Sequence, residues 1–142
     1  MSKTVPNRTE YAVFIPITTR WMDNDQYGHI NNVVYYSYFD TAVNQWLINH
    51  SLLDTNLIGL VVQTQCEFHS GLSFPQALQI GLRLGHLGNT SVRYELAVFA
   101  DALDVAAAHG HFVHVYVDAI TRRPVALSDG LKSELQKLVV SG

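Results

Sequence analysis

Apolar positions recur along this chain with two different periods, and the change between them predicts its elements. From Tyr11 to Trp21 they alternate with polar ones, as in a half-buried strand, although Pro16 removes a ladder donor and points to an edge or a bulge. After Asn32 the spacing becomes three and four. Tyr35, Tyr38, Phe39, Ala42, Val43, Trp46 and Leu47 fall on one broad helical face, and Ser37, Asp40, Thr41, Asn44 and Gln45 fill the narrower one. Such a helix is expected to be wrapped on most sides. Alternation returns over 57–70, 76–87, 91–100 and 105–120, with Leu78, Ile80, Leu82 and Leu84 the clearest row. Turn chemistry at Gly71 to Pro75, at Gly88, Asn89 and Thr90, and at Asp101 to Asp104 separates these strands. Residues 1–10 read as loose, and Ser128 caps a short C-terminal helix over 128–139 carrying Leu131, Leu135 and Leu138. One helix segregated from a run of tightly connected strands indicates a single α+β domain over 1–142, its antiparallel sheet curled around the helix.

The densest polar stretch lies between the first strand and the helix. Asp23, Asp25 and His29 fall within seven residues, with Gly28 among them and Asn31 and Asn32 after. Polar groups delivered to a helix N-terminus suit a site that binds a developing negative charge. Asn31 and Asn32 are both N-cap candidates, and Asp23 is read as fixing the loop by accepting backbone N–H bonds. Asp25 either carries chemistry or caps the turn before Gly28. The residues alone leave that choice open.

Charge and composition remove several function classes. A formal net charge of −3 with scattered Lys and Arg gives no basic stripe, so no nucleic-acid partner is expected. No apolar run approaches a membrane span and no leader pattern opens the chain, which predicts a soluble cytoplasmic protein with no membrane partner. Cys66 is the single cysteine, so there is neither an internal disulfide nor a thiolate site. His109 and His111 share a strand face but His114 points to the other, with no acidic partner between them, and no metal is expected. Glu67 and His69 share a face and can pair. With 48% hydrophobic and 15% charged residues, part of the surface is expected to be covered by further subunits.

The string RWMDNDQYGHINNVVYYSYF, placed between the first strand and the helix, resembles the hotdog-fold acyl-CoA thioesterases of the 4-hydroxybenzoyl-CoA thioesterase type. The similarity runs roughly from Tyr11 to Ile120 and rests on the D-x-D-x-x-G-H-x-N-N pattern followed by aromatics. It implies a five-stranded antiparallel sheet wrapped around one long central helix, and hydrolysis of an acyl-CoA without a cofactor. It also implies a homodimer at minimum, with active sites at the subunit boundary, and a homotetramer where such dimers pair again. Asp25 matches the catalytic carboxylate, acting as a nucleophile or as the base for water. Backbone N–H groups of Asn32 and Val33 match the donors to the thioester oxygen. His29 donates to that oxygen or orients Asp25. Gly28 belongs to the same substrate-binding turn.

Other positions are weighed against these. Tyr35 and Tyr36 can line an acyl pocket, whereas Tyr38 is given to the core. Asp40 is a rival carboxylate on the helix and ranks below Asp25. The GNTS hairpin is neutral where some similar enzymes carry basic residues, so Arg122 and Arg123 are the expected partners of the coenzyme A phosphates, ahead of Arg93. The alternatives are hydrolysis of acyl groups on a carrier protein and a non-catalytic acyl-CoA-binding protein. A hotdog dehydratase fits less well, because the helix lacks its acidic pattern.

Overall fold

The computed structural model describes residues 4–140. Its strands are β1 (Val13–Thr18), β2 (Leu57–Phe68), β3 (Ala77–Leu87), β4 (Ser91–Ala100) and β5 (Ala108–Asp118). Helix α1 (Asn32–Asn49) follows β1, and α2 (Asp129–Gln136) closes the chain with the Ser128 hydroxyl accepting from Leu131 N–H. The strands form one antiparallel sheet in the order β1-β3-β4-β5-β2. This is the hotdog arrangement expected from the sequence.

The order explains why α1 is long. β1 and β2 lie at opposite edges, so the chain between them must cross four strand spacings, about 19 Å at ~4.8 Å each. The 18 residues of α1 extend about 27 Å. They cross the concave face and bury Tyr35, Tyr38, Phe39, Ala42, Val43, Trp46 and Leu47, the seven residues that the spacing selects. Against them pack the inward rows of the inner strands, Leu78, Ile80 and Leu82 of β3 and Val92, Tyr94, Leu96 and Val98 of β4. Pro16 sits on the edge strand β1 opposite Gln79, where its missing donor costs no ladder bond on the solvent side.

β2, expected over 57–70, stops at Phe68, and β3, expected over 76–87, starts at Ala77. Two other strands are shorter than their alternation at both ends. The chain leaves β1 at Thr18 because the Asp23 carboxylate takes the Arg20 N–H and winds Trp21–Asp23 into a 3₁₀ turn. β5 stops at Asp118, whose Oδ1 accepts from Ile120 and Thr121 N–H and bends the backbone away. The loose segment expected over 1–10 falls partly on 1–3, outside the described residues. Farther along, Arg8–Glu10 forms a 3₁₀ turn, and Arg8 N–H donates to Asp104 O at 3.0 Å.

The core holds one conspicuous polar chain. His114 is buried on the inner face of β5, with Nδ1 3.3 Å from the Tyr116 hydroxyl, which in turn lies 2.9 Å from that of Tyr94. Burial pushes the His114 imidazole down to about 4. The unfolded chain therefore binds this proton more readily, and stability falls as pH drops from about 6.5 towards 4. The expected loss is ~3 kcal/mol across that window, about 1.4 kcal/mol per pH unit of displacement. Urea midpoints at pH 7 and pH 4.5 should differ less in His114→Asn than in the wild type. Equal differences would show that other groups set the acid limit.

Candidate active site

Asp23 builds the loop that leads into α1. It is 1% exposed, and its Oδ2 accepts from Arg20 N–H at 2.9 Å and from the Tyr38 hydroxyl at 2.8 Å, while Oδ1 takes the Arg20 guanidinium at 2.9 Å. Burial opposes its ionisation, but the Tyr38 hydroxyl, the Arg20 amide and the guanidinium outweigh burial and hold the carboxyl below its usual range. Its main-chain carbonyl accepts from Asn31 N–H at 2.9 Å, so one residue ties both ends of the loop to the helix. The outer side is strapped to 72–74, with Ile30 N–H donating to Leu72 O at 2.7 Å and Phe74 N–H to Asn24 Oδ1 at 3.0 Å.

Within this frame Asp25 closes a tight turn. Its N–H donates to His29 O at 2.8 Å, and its carbonyl accepts from Gly28 N–H at 3.1 Å. Oδ1 accepts from Tyr27 N–H at 2.8 Å and from His29 N–H at 3.4 Å. Gly28 has φ +82°, the left-handed region where a side chain is strained. Asp25 thus caps the turn with one oxygen, and Oδ2 makes no hydrogen bond among the described residues. Capping and chemistry, posed as alternatives by the sequence, are compatible on the two oxygens of one carboxylate.

The helix start is more selective than expected. Asn31 is the N-cap, and its Oδ1 accepts from Val33 N–H at 3.2 Å. Val34 N–H returns to Asn31 O at 2.9 Å. Val33 therefore offers a committed amide and an exposed side chain, whereas the Asn32 N–H has no acceptor among the described residues. The free donor at this helix end is Asn32.

Beside it lies a depression of about 340 Å³ lined by His29, Ile30, Asn32, Tyr35, Phe68, His69, Ser70 and Gly71. The His29 ring lies against Gly71, where a Cβ would come within 3.0 Å of Cδ2, so its contact with Asp25 runs through the main chain. Tyr35 meets Phe68 edge-on with ring centres 5.0 Å apart, and burial pushes its hydroxyl up to about 12. It belongs both to the core and to the wall of the depression. Tyr38 is core, as expected, and Tyr36 packs edge-on against Phe39. Asp40 is exposed and holds Asn44 Nδ2 at 3.1 Å.

Arg122 and Arg123 do not join the site of their own chain. They follow Asp118, opposite Leu57, while the depression lies at the Phe68 and Ala108 end of the same strand pair. Ten residues of strand put about 30 Å between the two ends. His69, by contrast, lines the depression although the sequence offered it only as a partner for Glu67. The signal was present in the shared face of Glu67 and His69, but the third member, His109, comes from β5 and is brought in by strand pairing.

The profile of the thioesterase-like superfamily matches residues 19–135. No curated protein matches. Among solved structures, the PA5185 protein of Pseudomonas aeruginosa strain PAO1 is 48% identical, covering 98% of this chain and 99% of that one, with a TM-score of 0.94. The dynemicin thioesterase superposes with a TM-score of 0.83 at 14% identity over 91% of this chain and 98% of its own. A 1,4-dihydroxy-2-naphthoyl-CoA thioesterase from Synechocystis does so with 0.79 at 12% identity over 87% and 94%. The last two likenesses show the fold alone. No helix among the described residues is long and apolar enough to cross a membrane.

Proposed function

The chain belongs to the thioesterase-like superfamily, and on that premise we propose that it hydrolyses an acyl-CoA thioester, in the manner of the 4-hydroxybenzoyl-CoA thioesterase type. The observation that carries this is an Asp25 carboxylate held by one oxygen with the other free, on the loop that leads into the uncommitted Asn32 N–H at the head of α1. The free carboxylate oxygen attacks the thioester carbon or deprotonates water. The Asn32 amide, at the positive end of the helix, receives the charge that develops on the carbonyl oxygen. Water is the co-substrate and no cofactor enters. An acyl-CoA substrate places the work in the cytoplasm. A panel of acyl-CoAs assayed for free thiol tests the reading. Release only from acyl carrier protein would shift it to the carrier-bound class, and binding without release would make the protein an acyl-CoA-binding module.

The partner is a second copy of the chain. β2 is an edge strand whose residues Leu60, Val61 and Val62 are exposed, an arrangement that single-chain proteins avoid. Pairing of two β2 edges about a twofold axis gives a dimer, and two dimers a tetramer. Light scattering is expected to give a homodimer at minimum and a homotetramer at assay concentration; a stable monomer would end this assignment.

Twofold pairing of β2 runs the two strands antiparallel. The Leu57 end of one chain then lies alongside the Phe68 end of the other, which carries Arg122 of the partner subunit and Arg123 of the partner subunit towards this chain's depression. In that position they meet the coenzyme A phosphates. These charges lie far from the reacting carbon, so they stabilise ground state and transition state alike. The Arg122→Ala, Arg123→Ala double variant should raise KM ~10-fold with kcat nearly unchanged. Acyl-pantetheine, which lacks the nucleotide, should be hydrolysed equally by variant and wild type; equal losses on both substrates would make the arginines structural.

A further inference from the structure

The outer face of the sheet carries a chain of three ionisable side chains that ends in the depression. His69 Nε2 lies 2.7 Å from His109 Nδ1, with the rings near-parallel at 14° and their centres 4.9 Å apart. His109 Nε2 lies 3.3 Å from Glu67 Oε2. All three are partly buried, and the His69 backbone is fixed by its N–H donating to Ala107 O at 2.8 Å. Gly110, beside His109, keeps β2 and β5 close enough for this contact, since a Cβ there would overlap the Gln65 carbonyl.

The order of the chain favours one arrangement of its protons. In neutral His109 a carboxylate facing Nε2 favours the proton on that nitrogen, and Nδ1 is then an acceptor. His69 Nε2 must then be the donor of the 2.7 Å bond. The lone pair of neutral His69 is left on Nδ1, which makes no hydrogen bond among the described residues. We propose that His69 is a proton acceptor of the candidate active site, with Nδ1 as its basic nitrogen and His109 and Glu67 as its positioning residues. This rests on the hydrolytic reading given above.

The step balances as follows. The water oxygen bonds to the acyl carbon, and the carbon–sulfur bond breaks with its electron pair leaving on sulfur. One water proton, carried by Asp25, goes to the departing thiolate. The other leaves the hydroxyl of the tetrahedral intermediate as the carbon–sulfur bond breaks, and His69 Nδ1 takes it, which gives the carboxylate product. The resulting imidazolium is stabilised by Glu67 through His109, before the proton passes to solvent. No oxidant or further co-reactant is required.

Two measurements test this. In ¹⁵N-correlated spectra of the wild type, the ring signal lost in His69→Gln should belong to an Nε2–H tautomer at neutral pH. In kinetics with an acyl-CoA from the panel, His69→Gln should lower kcat ~10- to 100-fold, within the range of lost proton transfer, with KM changed less than about twofold. His69→Ala should recover part of its rate with added imidazole, while Asp25→Asn should not. His109→Ala should cost less, and the His69→Ala, His109→Ala pair no more than His69→Ala alone, because His109 acts through His69. An Nδ1–H tautomer, or near-normal turnover by His69→Gln, overturns the proposal. If the wild type releases thiol from no thioester while the Nε2–H tautomer is present, hydrolysis and the role of His69 in it both fall, and only the histidine pairing stands.

Discussion

Asp25→Asn is expected to lower kcat by at least ~100-fold, the usual scale for loss of a general base or nucleophile, while the protein stays folded. The geometry makes this substitution clean. The structural duty of Asp25 is to accept the Tyr27 and His29 N–H groups on Oδ1, and an amide oxygen can do the same. What the amide cannot supply is charge on the second oxygen. Asp25→Ala would mix loss of chemistry with loss of the turn and answers less. Circular dichroism and urea unfolding should show Asp25→Asn within about 0.5 kcal/mol of the wild type, the range of substitutions that disturb no structural contact. Near-normal turnover would move the chemistry elsewhere, with His69 the next group to test.

The second large effect is on stability. Asp23→Ala removes the acceptor for the Arg20 amide, the Arg20 guanidinium and the buried Tyr38 hydroxyl together. Leaving buried donors unpaired costs ~1–3 kcal/mol each when they are not rehydrated. Arg20 can turn to solvent, so a loss of ~3 kcal/mol in urea unfolding is expected. Tyr38→Phe alone should cost ~1 kcal/mol, and much less in the Asp23→Ala background, where its partner is already gone. Strict additivity of the two changes would show that the hydroxyl contributes nothing through Asp23. The pH dependence has a definite sign. A carboxyl held below its unfolded value of ~3.9 contributes stability above that pH and loses it as pH falls through the lower folded value. The gap between wild type and Asp23→Ala should therefore narrow below about pH 4. Activity should fall in Asp23→Ala as well, because the loop that presents Asp25 and the Asn32 amide hangs from this carboxylate.

The sequence by itself determined the parts of this protein that depend on near neighbours along the chain. Seven apolar residues at helical spacing name the buried face of α1, because a helix repeats every 3.6 residues whatever surrounds it. Strand rows such as Leu78, Ile80 and Leu82 follow from a period of two, and the Gly28 turn and a cap at one of the two asparagines follow from local backbone chemistry. The Asp25 loop was legible for the same reason, since its hydrogen bonds close within five residues. Contacts between elements were decided only by the tertiary structure. Where the loop after β1 docks on the helix depends on Asp23 meeting Tyr38 fifteen residues on. Which amide is left free at the helix start depends on the cap being Asn31 and not Asn32, a choice made when the loop is strapped to Leu72 and Phe74. That Arg122 and Arg123 lie at the opposite end of the β2–β5 pair from their own chain's depression follows from strand pairing alone. His69 gained its partner His109 from forty residues away, because the register of β2 on β5 sets Glu67 opposite His109. Periodicity tells each element which face to bury; register, which no local pattern encodes, tells it whom to meet.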